Sequence, residues 1–72
     1  MKHKPGNVYN IMGDEYILTG FKLGRGQYAC LVHLDSGGVW RSPYPVNDFA
    51  ELSEMDFKGV ADEEYKLIRE CK

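Results

Sequence analysis

Two apolar runs, each rich in β-branched and aromatic residues and each followed by a glycine-containing turn, restrict this chain to a mainly β fold. Residues 16–23 and 28–34 form the runs, and the turns follow at 24–26 and 35–38. A further strand begins at Val39. Runs of this composition bounded by glycine turns are typical of consecutive antiparallel hairpins.

The flanking residues complete the predicted sheet. Residues 6–12 alternate weakly and predict a first, edge-like strand. Gly20 interrupts the first apolar run and predicts a bulge or a sharp bend. Residues 27–34 are apolar on both faces, which predicts a central strand. Two prolines within 41–46 remove backbone donors, so this segment is predicted to be an extended edge or a strap.

The C-terminal quarter has the pattern of a helix. Ser53 is predicted to cap it, with Asp56 three residues later and Leu52 placed to pack on the helix. The apolar residues of the predicted buried face are Phe57, Val60, Ala61, Tyr65 and Ile68. One helix from Ser53 to about residue 70 fits this pattern. We favour a break near Gly59 and a second helix capped by Asp62, because the following acidic residues would then occupy its first turn.

These elements predict a mainly β fold with a C-terminal helix, arranged as a small SH3-like antiparallel barrel. The alternative is a three- or four-stranded sheet with one packed helix. We expect one domain, with the β-meander at 6–46 and a helical segment at 53–72. A chain of 72 residues lies near the lower size limit for a self-supporting core. We therefore expect any enclosed small-molecule site to need more than one subunit.

Charge is distributed unevenly along the chain, whose net charge is −2. Residues 1–46 hold five cationic and three acidic side chains, whereas residues 47–72 hold four and eight. Binding along a nucleic-acid backbone requires a dense basic stripe, which this pattern lacks. Nucleic acid is therefore not the expected partner. Glu63 and Glu64 are candidates for an acidic interaction face.

Cysteine usage and hydropathy favour a cytosolic protein. No apolar run approaches the roughly 20 residues needed to cross a bilayer, and no apolar stretch follows the basic residues at 2–4 to form a signal peptide. Cys30 is predicted to be a small buried hydrophobic residue. A disulfide between Cys30 and Cys71 is not expected, because cytosolic thiols stay reduced.

The sequence has no motif that indicates an enzyme or a cofactor. His33 and Asp35 share one face of a strand, with Ser36 adjacent, but an aspartate at a hairpin end usually serves the turn. His3, His33 and the cysteines lack the short paired spacings of zinc sites. The glycines around Arg25 form neither phosphate-binding motif and predict a hairpin turn.

The candidate binding residues are Arg25, Trp40, Arg41 and Tyr44. Trp, Arg and Tyr are enriched at interface hot spots, and the prolines at 43 and 45 stiffen the backbone between them. Trp40 is expected to fill the barrel core, because so small a core needs its one Trp. A platform for nucleic-acid bases would consist of Tyr9, Tyr16 and Tyr28, although packing is the favoured use.

The chain resembles small SH3-like proteins of bacteriophages and prophages over about residues 6–60. The pattern is Gly-Asp-Glu-Tyr-Ile-Leu at 13–18, Leu-Val-His-Leu-Asp-Ser-Gly-Gly-Val-Trp at 31–40, Val-Asn-Asp at 46–48 and Leu-Ser at 52–53 before Phe57. The resemblance implies a setting, since such accessory proteins commonly inhibit or redirect a host protein or sequester a signalling nucleotide. It supplies no established site.

Three functions follow as expectations. The first is a non-enzymatic phage accessory protein that binds and inhibits a bacterial protein through residues 41–44 and Arg25. The second is a homo-oligomeric sponge for a signalling nucleotide, with Arg25 and Arg41 on phosphates and Tyr44 or Trp40 stacking on bases. The third is a nucleic-acid-binding module. An oligomer would be held together by the predicted C-terminal helix.

Overall fold

Five antiparallel strands form one sheet in the computed structural model, which describes residues 3–71. The elements in chain order are β1 Val8–Ile11, β2 Asp14–Leu23, β3 Gly26–His33, β4 Val39–Arg41, α1 Glu54–Lys58 and β5 Tyr65–Arg69. The strand order is β4-β3-β2-β1-β5. The mainly β class is confirmed. The sheet of the described residues is open, with β4 and β5 at its two edges, so the predicted barrel is not confirmed.

The predicted hairpins are confirmed. β2 and β3 pair without interruption from Tyr16↔His33 to Leu23↔Gly26, and β3 is an interior strand, with β2 in the middle of the sheet. The β1–β2 turn places Met12 at φ 54° and Gly13 at φ 92°. Two successive positive φ angles match the right-handed twist of the strands that such a tight turn joins.

Gly20 has a packing role in place of the predicted bulge. It pairs in register with Ala29, so the strand continues regularly through it. A Cβ atom added at Gly20 would lie 2.5 Å from Cδ2 of Phe49. The absent side chain therefore makes room for the ring of Phe49, which packs against the core.

The predicted C-terminal helix is wrong beyond Gly59. Ser53 caps α1 by accepting a hydrogen bond from the backbone N–H of Asp56, and the helix ends before Gly59 as expected. Residues 65–69 instead form β5, which pairs with β1. This pairing places β1 inside the sheet and overturns its expected edge position. Tyr65 and Leu67 pack against the core, and this alternation has the period of a strand.

The core lies between one face of the sheet, the inner face, and the segment 46–61. Its buried residues are Tyr9, Ile11, Tyr16, Leu18, Ala29, Leu31, Val46, Leu52, Phe57, Val60 and Ala61. Leu52, before the helix cap, and Phe57, in the helix, are both fully buried and belong to the same core cluster, which is consistent with the predicted hydrophobic staple.

The opposite, outer face carries the alternate residues of the same strands. Register places Phe21, Tyr28, Cys30 and Arg41 there. The edge or strap was predicted at 41–46, and its first residue, Arg41, is the end of β4. Residues 42–46, the strap, run beside β3, because the backbone N–H groups of Ser42 and Val46 donate to carbonyls of β3 at 2.9 and 2.7 Å. None of the helices in residues 3–71 is long and apolar enough to cross a membrane.

Candidate functional site

A groove on the outer face brings together aromatic, cationic and proline side chains. It encloses about 300 Å³, and its lining residues are Phe21, Leu23, Tyr28, Arg41, Ser42 and Pro43. β2, β3 and β4 each contribute part of this lining. We refer to this surface as the Arg41 groove.

A stacked aromatic pair forms one wall of the Arg41 groove. Phe21 and Tyr28 are cross-strand partners, and their ring centroids lie 5.3 Å apart with an angle of 14° between the planes. Cross-strand aromatic pairs stabilise a sheet, and both rings of this pair line the groove together with Arg41. In residues 3–71 no carboxylate lies within ion-pair distance of the Arg41 guanidinium. The groove therefore offers both stacking and a cationic charge.

The strap beside the groove is ordered by Ser42. The buried hydroxyl of Ser42 donates to the backbone carbonyl of Tyr44 at 2.5 Å and accepts from the Tyr44 N–H at 3.3 Å. With φ fixed at two prolines, these bonds fix the backbone before any partner arrives. Little conformational entropy then remains to be lost on binding.

The predicted binding residues do not form one surface. Arg41 lines the groove, and Tyr44 is 75% exposed on the adjoining strap. Arg25 is exposed in the β2–β3 turn, next to Gly24 at φ 61°. Trp40 pairs with Leu31 of the core and so faces the other side of the sheet from Arg41.

Trp40 lies at the margin of the inner face and does not fill the core as expected. It is 36% exposed and stacks on Tyr16, with 4.9 Å between ring centroids and 30° between planes. The three-tyrosine platform is likewise absent: Tyr9 and Tyr16 are core residues on the inner face, whereas Tyr28 lines the outer groove.

The acidic residues Glu63 and Glu64 are exposed in the segment that precedes β5. They were expected in the first turn of a helix, and they belong to a loop instead. Their exposure leaves both carboxylates accessible to a partner.

His33 interacts with Asp14 and not with Asp35, which lies two positions after it in the sequence. Its Nε2 lies 3.4 Å from Oδ1 of Asp14, and its Nδ1 accepts from the backbone N–H of Ser36 at 3.0 Å and contacts Ser36 Oγ at 2.8 Å. Ser36 Oγ in turn accepts from the N–H of Gly38 at 3.1 Å. These bonds hold the β3–β4 turn.

The sequence reasoning missed a buried polar cluster around His3. The His3 ring has no exposed surface and stacks on Phe57 at 4.1 Å between centroids. Its Nδ1 contacts the Tyr9 hydroxyl at 2.7 Å, and Asn7 Nδ2 donates to the same oxygen at 3.1 Å. The signal was weak because His3, near one end of the chain, has no recognisable spacing to its partners.

Glu54 completes this His3 cluster. Its Oε2 lies 2.5 Å from His3 Nε2, and the Tyr65 hydroxyl donates to both of its carboxylate oxygens. Hydrogen bonds, first from Tyr65 and then from His3, hold the pKa of the Glu54 carboxyl below its usual range. Burial and then the Glu54 carboxylate raise the pKa of Tyr65 to about 12. A chain of bonds thus links β1, α1 and β5.

The potential metal ligands of the described residues are dispersed. In the described part of the chain, no three His, Cys, Asp or Glu side chains are grouped to hold a metal ion. Cys30 is a buried free thiol, as expected, and burial raises its pKa. A raised pKa lowers the fraction of reactive thiolate.

No protein-family model, curated protein or solved structure matches the chain.

Proposed function

We propose that this protein is a non-enzymatic accessory protein of a bacteriophage or prophage that binds and inhibits a bacterial protein in the host cytoplasm. The observation that carries the binding role is the Phe21–Tyr28 stack beside Arg41, in one groove on the outer face. Aromatic and arginine side chains dominate binding energy at protein interfaces. The phage setting rests on the sequence resemblance alone.

Apolar exposure on the sheet supports this proposal. The large exposed hydrophobic residues on its strands include Leu23, Val39 and Ile68. Apolar patches rimmed by polar residues mark interaction sites on soluble proteins. Leu23 is itself one of the residues that line the Arg41 groove. A partner in the groove would therefore cover the exposed side chain of Leu23.

The exposed carboxylates of Glu63 and Glu64 would form a second contact with the same partner. They lie in the acidic C-terminal half, whose charge would resemble that of nucleic acid to a basic target surface. Reversing both charges should weaken binding and reduce its salt dependence. Unchanged binding would show that Glu63 and Glu64 do not contact the partner, and it would not contradict the contact at the Arg41 groove.

A charge-reversal pair tests the groove. The tagged protein, Arg41→Glu and the matched control Arg69→Glu at the far edge of the sheet would each be purified gently from bacterial lysate and weighed by native mass spectrometry. We expect one host protein at fixed stoichiometry with the wild type and the control, and its loss with Arg41→Glu. Equal retention by both variants, or no partner on the wild type, would contradict the proposal. Thermal melting confirms that each variant is folded.

The alternative is a homo-oligomeric sponge for a signalling nucleotide. Arg41 beside the stacked pair supports it, because phosphate and base would find complementary groups in one groove. The stacking residues would then be Phe21 and Tyr28, since Trp40 faces the other side of the sheet. Residues 65–69, predicted to be the helix that joins the subunits, form β5 instead, so this function would use another surface for assembly. An oligomer carrying a few hundred daltons per site would favour this function, whereas a strict monomer would eliminate it.

A nucleic-acid-binding module is the third candidate. Its support is limited to the exposed cations Arg25 and Arg41, against a net charge of −2. Retention on heparin at low salt, lost in Arg41→Glu, would favour it. Absence of retention would rule out the nucleic-acid-binding function.

A further inference from the structure

A second depression lies at the end of the inner face, across the sheet from the Arg41 groove. It encloses about 440 Å³ and is lined by Asp14, Tyr16, His33, Ser36 and Trp40, with the backbone at Gly38. We refer to it as the Trp40 pocket. Because it lies on the other face of the sheet, a ligand of the Trp40 pocket would not depend on the function proposed for the Arg41 groove.

Aromatic rings form the wall of the Trp40 pocket. The Trp40 indole is stacked on Tyr16, and His33 meets Tyr16 edge-on with 5.0 Å between centroids and 69° between planes. Tyr16 is buried, so its ring holds the Trp40 indole in place by stacking on it. More than a third of the Trp40 surface remains exposed to solvent. The face of an indole is the best aromatic partner for a cation.

The charges around the pocket are negative. Asp14 lines the pocket and also an adjoining depression of about 340 Å³ that contains Glu15 and Asp35. Within residues 3–71, no lysine or arginine lines either depression. His33 Nδ1 accepts from the Ser36 N–H, so the proton of the neutral ring lies on Nε2 and faces Asp14. An anionic ligand would meet repulsion here, and a cation would be attracted.

We propose that the Trp40 pocket binds the guanidinium group of an arginine side chain carried by a protein partner. A guanidinium is planar, stacks on aromatic faces and pairs with a carboxylate through two parallel hydrogen bonds. The stacked indole of Trp40 and the carboxylate of Asp14 both line the pocket, and they supply these two requirements. A lysine ammonium is compact and strongly hydrated, so it uses the aromatic wall less well.

The test uses the fact that the chain contains one tryptophan, so its fluorescence reports on this pocket. The protein is titrated with a blocked Gly-Arg-Gly peptide and with the citrulline peptide, which has the same shape without the charge. We expect saturable change with arginine and at least about 5-fold weaker binding with citrulline, from the lost charge and cation–aromatic attraction. Equal responses to the two peptides would overturn the proposal.

Two carboxylate variants locate the contact. Asp14→Asn should weaken arginine binding about 5-fold, and Asp35→Asn about 2-fold, as expected for partly exposed ion pairs. Glu51→Gln, outside both depressions, should leave the titration unchanged. The indole N–H peak of Trp40 in nitrogen–proton NMR spectra provides the second readout. Undiminished binding by folded Asp14→Asn and Asp35→Asn would overturn the assignment.

Discussion

The imidazole of His3 lies with Nε2 2.5 Å from Oε2 of Glu54, although the two residues are 51 positions apart in the chain. This contact joins the first described residue to the first residue of α1. The backbones reinforce it, since His3 and Leu52 exchange hydrogen bonds of 2.8 and 2.7 Å. The segment that begins at His3 is thereby attached to the folded core.

Removing the His3 ring should destabilise the fold. His3→Ala would leave a cavity against Phe57 and deprive the buried Tyr9 hydroxyl of a partner, at an expected cost of about 2–4 kcal/mol in the free energy of unfolding. Urea denaturation followed by circular dichroism measures this cost. Lys4→Ala, at an exposed neighbour, should change it by less than about 0.5 kcal/mol. Similar values for the two variants would contradict the buried position of His3.

Stability should fall in acid through Glu54. Because the pKa of its carboxyl is lowered in the folded state, the unfolded chain binds more protons as the pH falls. The contribution is complete above the ordinary value of 4.5 and is lost as the pH drops through the lower folded pKa. Glu54→Gln should therefore flatten the acid side of a plot of unfolding free energy against pH. An unchanged acid slope would show that other carboxylates dominate it.

The free energy of unfolding should also fall at high pH, because of Tyr65. Its pKa rises from 10.0 to about 12 on folding, so folding favours the neutral phenol. That contribution is present below pH 10 and disappears as the pH approaches 12. Tyr65→Phe should remove this limb from the pH profile, and an ultraviolet titration should show one late-ionising tyrosinate fewer. Persistence of the limb in Tyr65→Phe would assign it to another group, such as Tyr9, whose pKa is also raised by burial.

A methyl group at position 20 should collide with Phe49. Gly20→Ala is expected to destabilise the protein by about 1–3 kcal/mol, because overpacking a filled site forces side chains to shift. Phe49→Ala removes the obstacle, so Gly20→Ala should cost much less in that background. The double-mutant cycle measures this coupling. Additive effects would contradict a direct contact between the two positions.

Adjacent residues of β5 distinguish the strand from the predicted helix. In the strand, Leu67 packs on the core and Ile68 is exposed, whereas the helical pattern buries Ile68 and not Leu67. Leu67→Ser should therefore cost about 1–3 kcal/mol, and Ile68→Ser should be nearly neutral. Thermal unfolding of the two variants compares them directly. The reverse order would favour the helix.

Local patterns predicted the parts of the fold that local interactions determine. The hairpins follow from glycine turns between apolar runs, and the Ser53 cap with the Leu52–Phe57 staple follows from residues within five positions of each other. β5 was misread because its strand conformation depends on β1, more than fifty residues earlier. The acidic run before Tyr65 matched a helix start equally well by local criteria.

In the candidate site, too, some features could be predicted from the sequence and others depend on how the strands pair. The prediction of Arg41 as a binding residue depended on its residue type and on the nearby prolines, and both are visible in the sequence. Its aromatic neighbours Phe21 and Tyr28 meet only through strand register, and the pairing of His33 with Asp14 requires the same knowledge. Contacts across strands were therefore beyond the sequence pattern.

Trp40 and Arg41 are consecutive residues that serve opposite sides of one short edge strand. The number of residues in the β3–β4 turn decides which side each one occupies, because a register shift of one position exchanges the two faces. A single insertion in that turn would turn the arginine to the inner face and the indole to the outer face. The turn should thus tolerate substitutions far better than insertions or deletions. Its length determines whether the arginine charge lies on the outer or the inner face of the sheet.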